Sequence, residues 1–348
     1  MDQDKPARAA NIFDVARLAG VSHQTVSRVI NGMPNVRPAT KERVEQAMKQ
    51  LRYSPSPAAR ALVTRRTRTL GLVTPAVADF GPTSIAMHFN IAARAARYSV
   101  DAARSADAEP ATIRATVEGL LRQRVDAVVL ILTDATALEA VQALDLNVPL
   151  VAAASTPRRS PQVVQIDQYR GARAAVRHLA ELGHARVLHL AGPERASDAS
   201  ERERGWRDEL AERRLEAVDP LRGDWSARSG YEMGERLAVE VGDAIFVAND
   251  QMAIGLMSAL RHRGLEVPRD VSLVGFDDIP EAAYLYPPLT TVRQDFAALG
   301  QMMVQKVLVA LEEDGEPTVD TPLPAHLIER DSARERRPRQ DSNLQPTD

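Results

Sequence analysis

The 348-residue chain has no cysteine, which excludes disulfides and thiolate metal sites from its fold and its chemistry. It has no apolar run near the roughly 20 residues that span a bilayer, and its N-terminus lacks the apolar core of a secretion signal. Together these absences point to a cytoplasmic protein. No internal repeat with a period of about 20–50 residues is evident. The common catalytic signatures are missing as well: there is no HExxH, GxSxG elbow, P-loop or GxGxxG. Asp277 and Asp278 are adjacent, so their side chains diverge and cannot flank a glycosidic bond as a catalytic pair. His178, His184 and His189 are spaced by six and five residues, which suits no single helical face, so they read as structural rather than metal-binding. The expectation is a protein without catalytic residues, metal or cofactor.

The net charge of −3 hides a division. Through Arg68 the chain carries 13 Lys and Arg against 5 Asp and Glu, and the remainder carries 31 against 42. A basic head on an acidic body is the electrostatic footprint of a nucleic-acid-binding module, and it predicts strong salt dependence. Hydrophobic residues make up 44%, ordinary for a globular chain, and the length suits a small head plus a two-lobed body.

The head begins with NIFDVARLAGVSHQTVSRVING, Asn11 to Gly32. Asn11 can cap a first helix with Val15, Ala16 and Ala19 inward, and Gly20 can end it. Ser22 can cap a second helix from His23 to about Asn31. Val26, Val29 and Ile30 fall on one side of that helix, and His23, Gln24, Ser27 and Arg28 on the other. Gln24 suits adenine, and Arg28 suits guanine N7 and O6. The pattern is a helix-turn-helix with its second helix placed for the major groove. Pro38 can open a third helix whose Val44, Ala47, Met48 and Leu51 close the core.

AGVSHQTVSRVING resembles the recognition segment of the LacI/GalR family of bacterial transcription regulators, with an HQTVSR core similar to its lac-type members. The resemblance implies that His23, Gln24 and Arg28 read bases. It places Asn11, Ser22, Thr25, Ser27, Asn31 and Thr40 nearer the phosphates. The prolines in YSPSPAARAL stop the third helix, and Pro57 can start a short one to Val63, too short to be stable alone. In the family such a segment is a hinge helix that forms on operator DNA, with a leucine entering the minor groove. Leu62 falls at that position, Ala59 packs near it, and Arg65, Arg66 and Arg68 follow.

From Leu70 onward, short apolar runs alternate with helical patterns. Strands are predicted at Thr69–Val73, Ala127–Leu132, Pro149–Ala153, Val163–Ile166, Arg186–Ala191, Ala244–Ala248 and Val271–Gly275. Helices are predicted at Ile113–Gln123, Tyr169–Leu182, Arg202–Arg213, Gly230–Val241 and Gln251–Arg263. Alternating strands and helices argue parallel sheets with helices on both faces. The fold class is therefore an all-α helix-turn-helix head plus an α/β body of two doubly wound lobes. The resemblance implies periplasmic-binding-protein-like lobes joined by three crossovers, with a ligand cleft between them.

Ligands of open α/β sheets bind at the carboxyl ends of strands, where this chain places Asn249, Asp250, Asp277 and Asp278. With Gln294, Phe296, Trp225 and Arg202 these give a sugar-binding chemistry of carboxylates, amides, a guanidinium and aromatic faces. The lac-type pattern implies that Arg202, Trp225, Asn249, Asp277, Gln294 and Phe296 line an effector pocket, joined by Asp79 and Pro82 from Pro75 to Ile85. Asp250 can instead cap the helix after it. Ile131 and Ala154 stand where lac-type members carry an amide and a carboxylate, so lactose-type specificity does not carry over.

The predicted organisation is a DNA-binding domain at 1–54, a hinge at 55–68, an effector-binding and dimerisation body at 69–330 and a disordered tail at 331–348. The tail has no apolar heptads. The expected partners are double-stranded operator DNA, a small sugar or glycoside, and a second copy of the chain, with no membrane. The expected function is a repressor released by its sugar. An activator or corepressor-dependent regulator is the alternative; a stand-alone sugar-binding protein would lack the basic head.

Overall fold

In this computed structural model, the described residues are 10–30, 33–53, 66–77, 79–134, 137, 146–156, 160–312, 315 and 318–336. They fall into two compact units, Met1–Arg68 and Thr69–Asp348. The predicted hinge at Pro57–Val63, with Ala59 and Leu62, lies outside the described residues, as do Asn31 and residues 337–348.

In the first unit, Asn11 Oδ1 accepts from the backbone N–H groups of Phe13 and Asp14, and the Asp14 carboxylate accepts from the Asn11 N–H. This capping box starts helix α1 (Ile12–Ala19), which stops at Gly20 in the left-handed conformation. Ser22 Oγ accepts from the Thr25 N–H at the start of α2 (His23–Ile30). Pro38 opens α3 (Pro38–Gln50). Val15, Val26 and Val44 are fully buried, one from each helix, and with Ala16, Ala19 and Ala47 form the small core.

The second unit has two lobes. In the first, strands β1 (Thr69–Pro75), β2 (Ser99–Ser105), β3 (Ala127–Ile131), β4 (Leu150–Ala153) and β5 (Val163–Val164) pair in parallel in the order β2-β1-β3-β4-β5. Leu70, Leu72 and Val129 face helix α4 (Phe80–Ala95), whereas Val73, Val128 and Leu130 face α5 (Pro110–Arg122). Burial on both faces makes these strands near-continuous apolar runs.

The second lobe holds β6 (Val187–Ala191), β7 (Leu221–Arg222), β8 (Ala244–Val247) and β9 (Ser272–Val274), parallel in the order β7-β6-β8-β9. Helices α6 (Gln168–Glu181) and α7 (Ser197–Glu212) cover one face, and α8 (Ala227–Arg236) and α9 (Asp250–His262) the other. The last pair packs unusually close: a Cβ at Gly255 would lie 1.8 Å from the Ala227 carbonyl oxygen.

The chain passes between the lobes after Ile166, again from β10 (Thr291–Gln294) into α10 (Phe296–Leu311), and back from Leu323 into β11 (Ala325–Ile328). Strands β10 and β11 pair antiparallel. Among the described residues no helix is long and apolar enough to cross a membrane.

One expectation is corrected: order does not end at residue 330. Ser332 is fully buried; its Oγ donates to the Leu273 carbonyl and accepts from the Thr290 N–H. The Arg336 N–H reaches the Leu182 carbonyl. Residues 331–336 are thus fixed along the second lobe by backbone groups, which a polar sequence without apolar heptads does not announce.

Arg97 and Arg214 follow α4 and α7 with φ of 62° and 59°, where glycine is the residue without strain. Replacing either with glycine is expected to stabilise the body by about 0.5 kcal/mol, the relief of strain outweighing the added unfolded-state entropy. A lowered midpoint in urea unfolding of both variants would contradict this.

Candidate DNA-reading face and effector cavity

In the head, Val26 anchors α2, so the opposite side is turned outward. His23, Gln24 and Arg28 are exposed, and His23 packs its ring 5.1 Å from that of Phe13. The remaining predicted contacts are arranged differently. Asn11 spends its amide oxygen on the α1 cap, and Ser22 and Thr25 join hydroxyls at 3.0 Å. Ser27 and Thr40 are half-buried. The head therefore presents an imidazole, an amide and a guanidinium together, the donor and acceptor set that reads base edges.

In the body, two adjoining cavities are lined by residues of both lobes. The first takes in Asp79, Pro82, Arg202, Trp225, Asn249 and Asp277; the second takes in Pro82, Gln294 and Phe296. All eight effector residues chosen from sequence thus line this space.

Arg202 is its centre. The side chain is buried; its Nε donates to Gln168 Oε1 at 2.9 Å, one Nη donates to the Ala248 carbonyl, and the other lies 3.4 Å from Asp277 Oδ1. The guanidinium carbon sits 3.9 Å from the centre of the Phe276 ring and 5.5 Å from that of Trp225. Gln168 Nε2 donates to Gln294 Oε1 at 2.7 Å, and Gln294 Nε2 donates to Asp277 Oδ1 at 2.6 Å. The four side chains close a ring of polar contacts. Gln168 and Gln294 stand where the chain passes between lobes, so the ring ties the site to the crossovers.

Burial pushes the Asp277 carboxyl up to about 6, with Arg202 opposing the rise and Asp198 adding to it. Burial also raises Asp79, helped by the nearby Asp224 charge. Trp225 adopts φ 74° and packs its ring against Gly192, where a Cβ would fall 2.3 Å from the ring. Phe296 meets Phe80 edge to face at 5.8 Å. The second cavity also contains Ile131 and Ala154 with Ile85, Val164, Ile166 and Leu299, so that side is largely apolar.

Several strand-end residues have other tasks. Asn249, not Asp250, caps α9: its Oδ1 accepts from the Met252 N–H, and its Nδ2 donates to the Trp225 carbonyl. Asp250 is wholly buried, accepts from Thr291 Oγ1 at 2.6 Å and the Ile279 N–H at 3.0 Å, and is held well above the usual carboxylate range by burial. Asp278 turns to Arg293 and Arg330. His184 bridges the carbonyls of Gly242 and Arg334, and His189 stacks on Phe246 with burial lowering it to about 4.

Sequence reasoning missed Gln168, Thr133 and Asp198, which also line the cavities. The signal for Asp198 was present, because Asp198 and Arg202 are four apart and share a helical face.

The family described as bacterial regulatory proteins, lacI family, matches residues 11–56, and a periplasmic binding protein-like domain matches residues 176–333. The lactose operon repressor of Escherichia coli (strain K12) is 35% identical over 327 residues, 93% of this chain and 90% of that one. The transcriptional regulator CelR of Thermobifida fusca is 34% identical over 91% of this chain and 96% of its own. Among solved structures, the lac repressor dimer bound to operator and the anti-inducer ONPF matches with TM-score 0.84 and 34% identity, covering 94% of this chain and all of that one. The CelR–cellobiose complex matches with TM-score 0.69 and 30% identity, over 93% of this chain and all of that one.

Proposed function

This chain belongs to the lacI family of bacterial regulatory proteins, and from that premise we propose a repressor that leaves its operator when a small sugar or glycoside enters the body cavity. It is a DNA-binding transcription regulator. The observation that most supports an effector is the convergence of Arg202, Asp277, Asn249, Trp225 and Asp79 on one space between the lobes. We assign the protein no chemical reaction.

Residues 1–54 are the DNA-binding domain in this reading, 55–68 the hinge, and 69 to at least 336 the effector-binding and dimerisation body. His23, Gln24 and Arg28 read bases, and Asn11, Ser22, Thr25, Ser27, Asn31 and Thr40 hold phosphates. Leu62, with Ala59 beside it, wedges the minor groove. A homodimer on a near-palindromic operator follows from one recognition helix per half-site. Effector binding rearranges the Arg202–Gln168–Gln294–Asp277 ring at the crossovers, shifts the lobes and lowers operator affinity by the ligand's differential affinity for the two states.

Footprinting the protein on its own upstream region, with and without a panel of glycosides, tests this. The expected result is a protected palindrome that a sugar releases. No protection at moderate salt removes the operator; protection that no sugar changes removes the effector; protection that a sugar strengthens reverses the sign.

Gln24→Ala and Arg28→Ala are each expected to cost about 1–3 kcal/mol of discrimination between operator and random DNA. Competition gel shifts check it, and unchanged discrimination in both variants would refute the base assignment. Effector affinity is also expected to fall with acidity. Asp277 is ionised above about 6, so at pH 5.5 only about a quarter of it carries the charge and affinity drops about fourfold from pH 7.5. Calorimetric titration at the two pH values reads this directly.

A further inference from the structure

We propose that the effector is a sugar carrying a protonated amine, and that Asp198 is the residue that selects it; this rests on reading the body cavity as an effector site. The first cavity has three carboxylates, each from a different element. Asp79 stands at the start of α4, Asp198 lies in the first turn of α7, and Asp277 follows β9. Among the described residues lining that cavity, Arg202 is the one cation.

Arg202 is already engaged. It meets Asp277, Gln168, the Ala248 carbonyl and the Phe276 face. It therefore balances one carboxylate and leaves two. The carboxyl groups of Asp79 and Asp198 have no hydrogen bond or ion pair among the described residues, whereas Asp134, a buried carboxylate nearby, is paired to Arg195. The independent observation comes from Asp277, more than nine-tenths buried. Its Oδ1 takes both the Gln294 and Arg202 contacts, and its Oδ2 accepts no hydrogen bond while remaining accessible to the cavity.

A neutral sugar would satisfy oxygens but leave the charge. Asp79 and Asp198 are half-buried, so a ligand that displaces their water without supplying a partner costs free energy, and a ligand phosphate or carboxylate would add like-charge repulsion. An ammonium group brings three donors and the missing charge together. The Trp225 face, which already flanks Arg202, offers such a cation a further favourable contact. Carboxylates from both lobes face this space and repel one another, so a cation between them favours closure. Asp198 lines both cavities, so it meets a ligand seated in either.

The test is calorimetric titration of the full chain with matched sets: galactose, glucose and mannose, their 2-amino-2-deoxy forms, the N-acetylated amines and the 6-phosphates. The expected result is that an amino sugar binds at least tenfold tighter than both its neutral parent and its N-acetyl form, while no phosphate binds. Asp198→Asn and Asp198→Ser should each shrink that preference to within about twofold, thermal unfolding establishing that both are folded. A neutral parent or a phosphate binding as tightly as the amine overturns the inference and leaves the effector reading standing. A full preference persisting in folded Asp198 variants overturns the role of Asp198. If no sugar of any class binds, the effector reading falls and takes the inference with it.

Discussion

Replacing Arg202 with alanine is expected to weaken effector binding by about two orders of magnitude and to destabilise the body by about 3–5 kcal/mol. Arg202 is 3% exposed, and its guanidinium makes an ion-pair contact to Asp277, two hydrogen bonds to neutral acceptors and an aromatic contact. Its removal leaves the Ala248 carbonyl and Gln168 Oε1 without donors in a buried place, and each unsatisfied group costs about 1–3 kcal/mol. Asp277 then loses the neighbour that lowers its carboxyl from where burial would put it. It takes up a proton near neutrality and ceases to be an anion facing the ligand. Arg202→Lys separates charge from geometry: a single ammonium cannot aim donors at Gln168, Ala248 and Asp277 at once, so about a tenfold loss of affinity is expected to remain. Calorimetric titration and thermal unfolding of both variants read the two effects. Wild-type affinity in the alanine variant would show that the ligand binds elsewhere.

The same residues show how far a sequence carries and where it stops. The head was legible because its residues sit at fixed distances from punctuation, the Asn11 cap, Gly20 and Pro38; in the body, strand ends pointed to Asn249 and Asp277, and the rest of the cavity lining came from the resemblance to lac-type members. Central strands β1, β3, β6 and β8 were legible because burial on both faces writes a continuous apolar run. Edge strand β2, SVDAARS, was not, since it is half-exposed and carries two charges. Two-residue β7 writes no pattern at all. The exchange of roles between Asn249 and Asp250 is set by the Thr291 hydroxyl and the Ile279 N–H, about 30 to 40 residues away, and local capping rules do not see such partners. Gln168 was hidden for the same reason: its partners Arg202 and Gln294 meet it only once both crossovers are made.

A second large effect is expected from Glu209→Ala, about 3 kcal/mol of lost stability, with an acid dependence that identifies its cause. The Glu209 side chain is 1% exposed and receives Arg173 Nε at 2.7 Å, Arg177 Nε at 3.0 Å and Arg213 Nε at 2.9 Å, joining α6 to α7. Breaking a buried pair by removing one partner costs about 3–5 kcal/mol, and the partial exposure of the three arginines keeps this case near the lower end. Glu209→Gln keeps shape and an acceptor but not charge, so it should recover part of the loss. Burial alone would raise this carboxyl, yet Arg177, Arg213 and Arg173 outweigh it and hold it at about 2. A carboxyl lowered on folding contributes stability above its ordinary 4.5, and that contribution fades as pH falls from 4.5 towards 2. Asp277 acts in the opposite sense: its raised carboxyl favours the fold below 3.8, and the advantage is lost as pH rises through about 6. The two windows barely touch, so urea unfolding between pH 2.5 and 7 separates them. The difference between wild type and Glu209→Gln should be constant above about pH 5 and shrink below 4.5. A difference that stays constant down to pH 2.5 would mean that Glu209 contributes through packing and not through its charge.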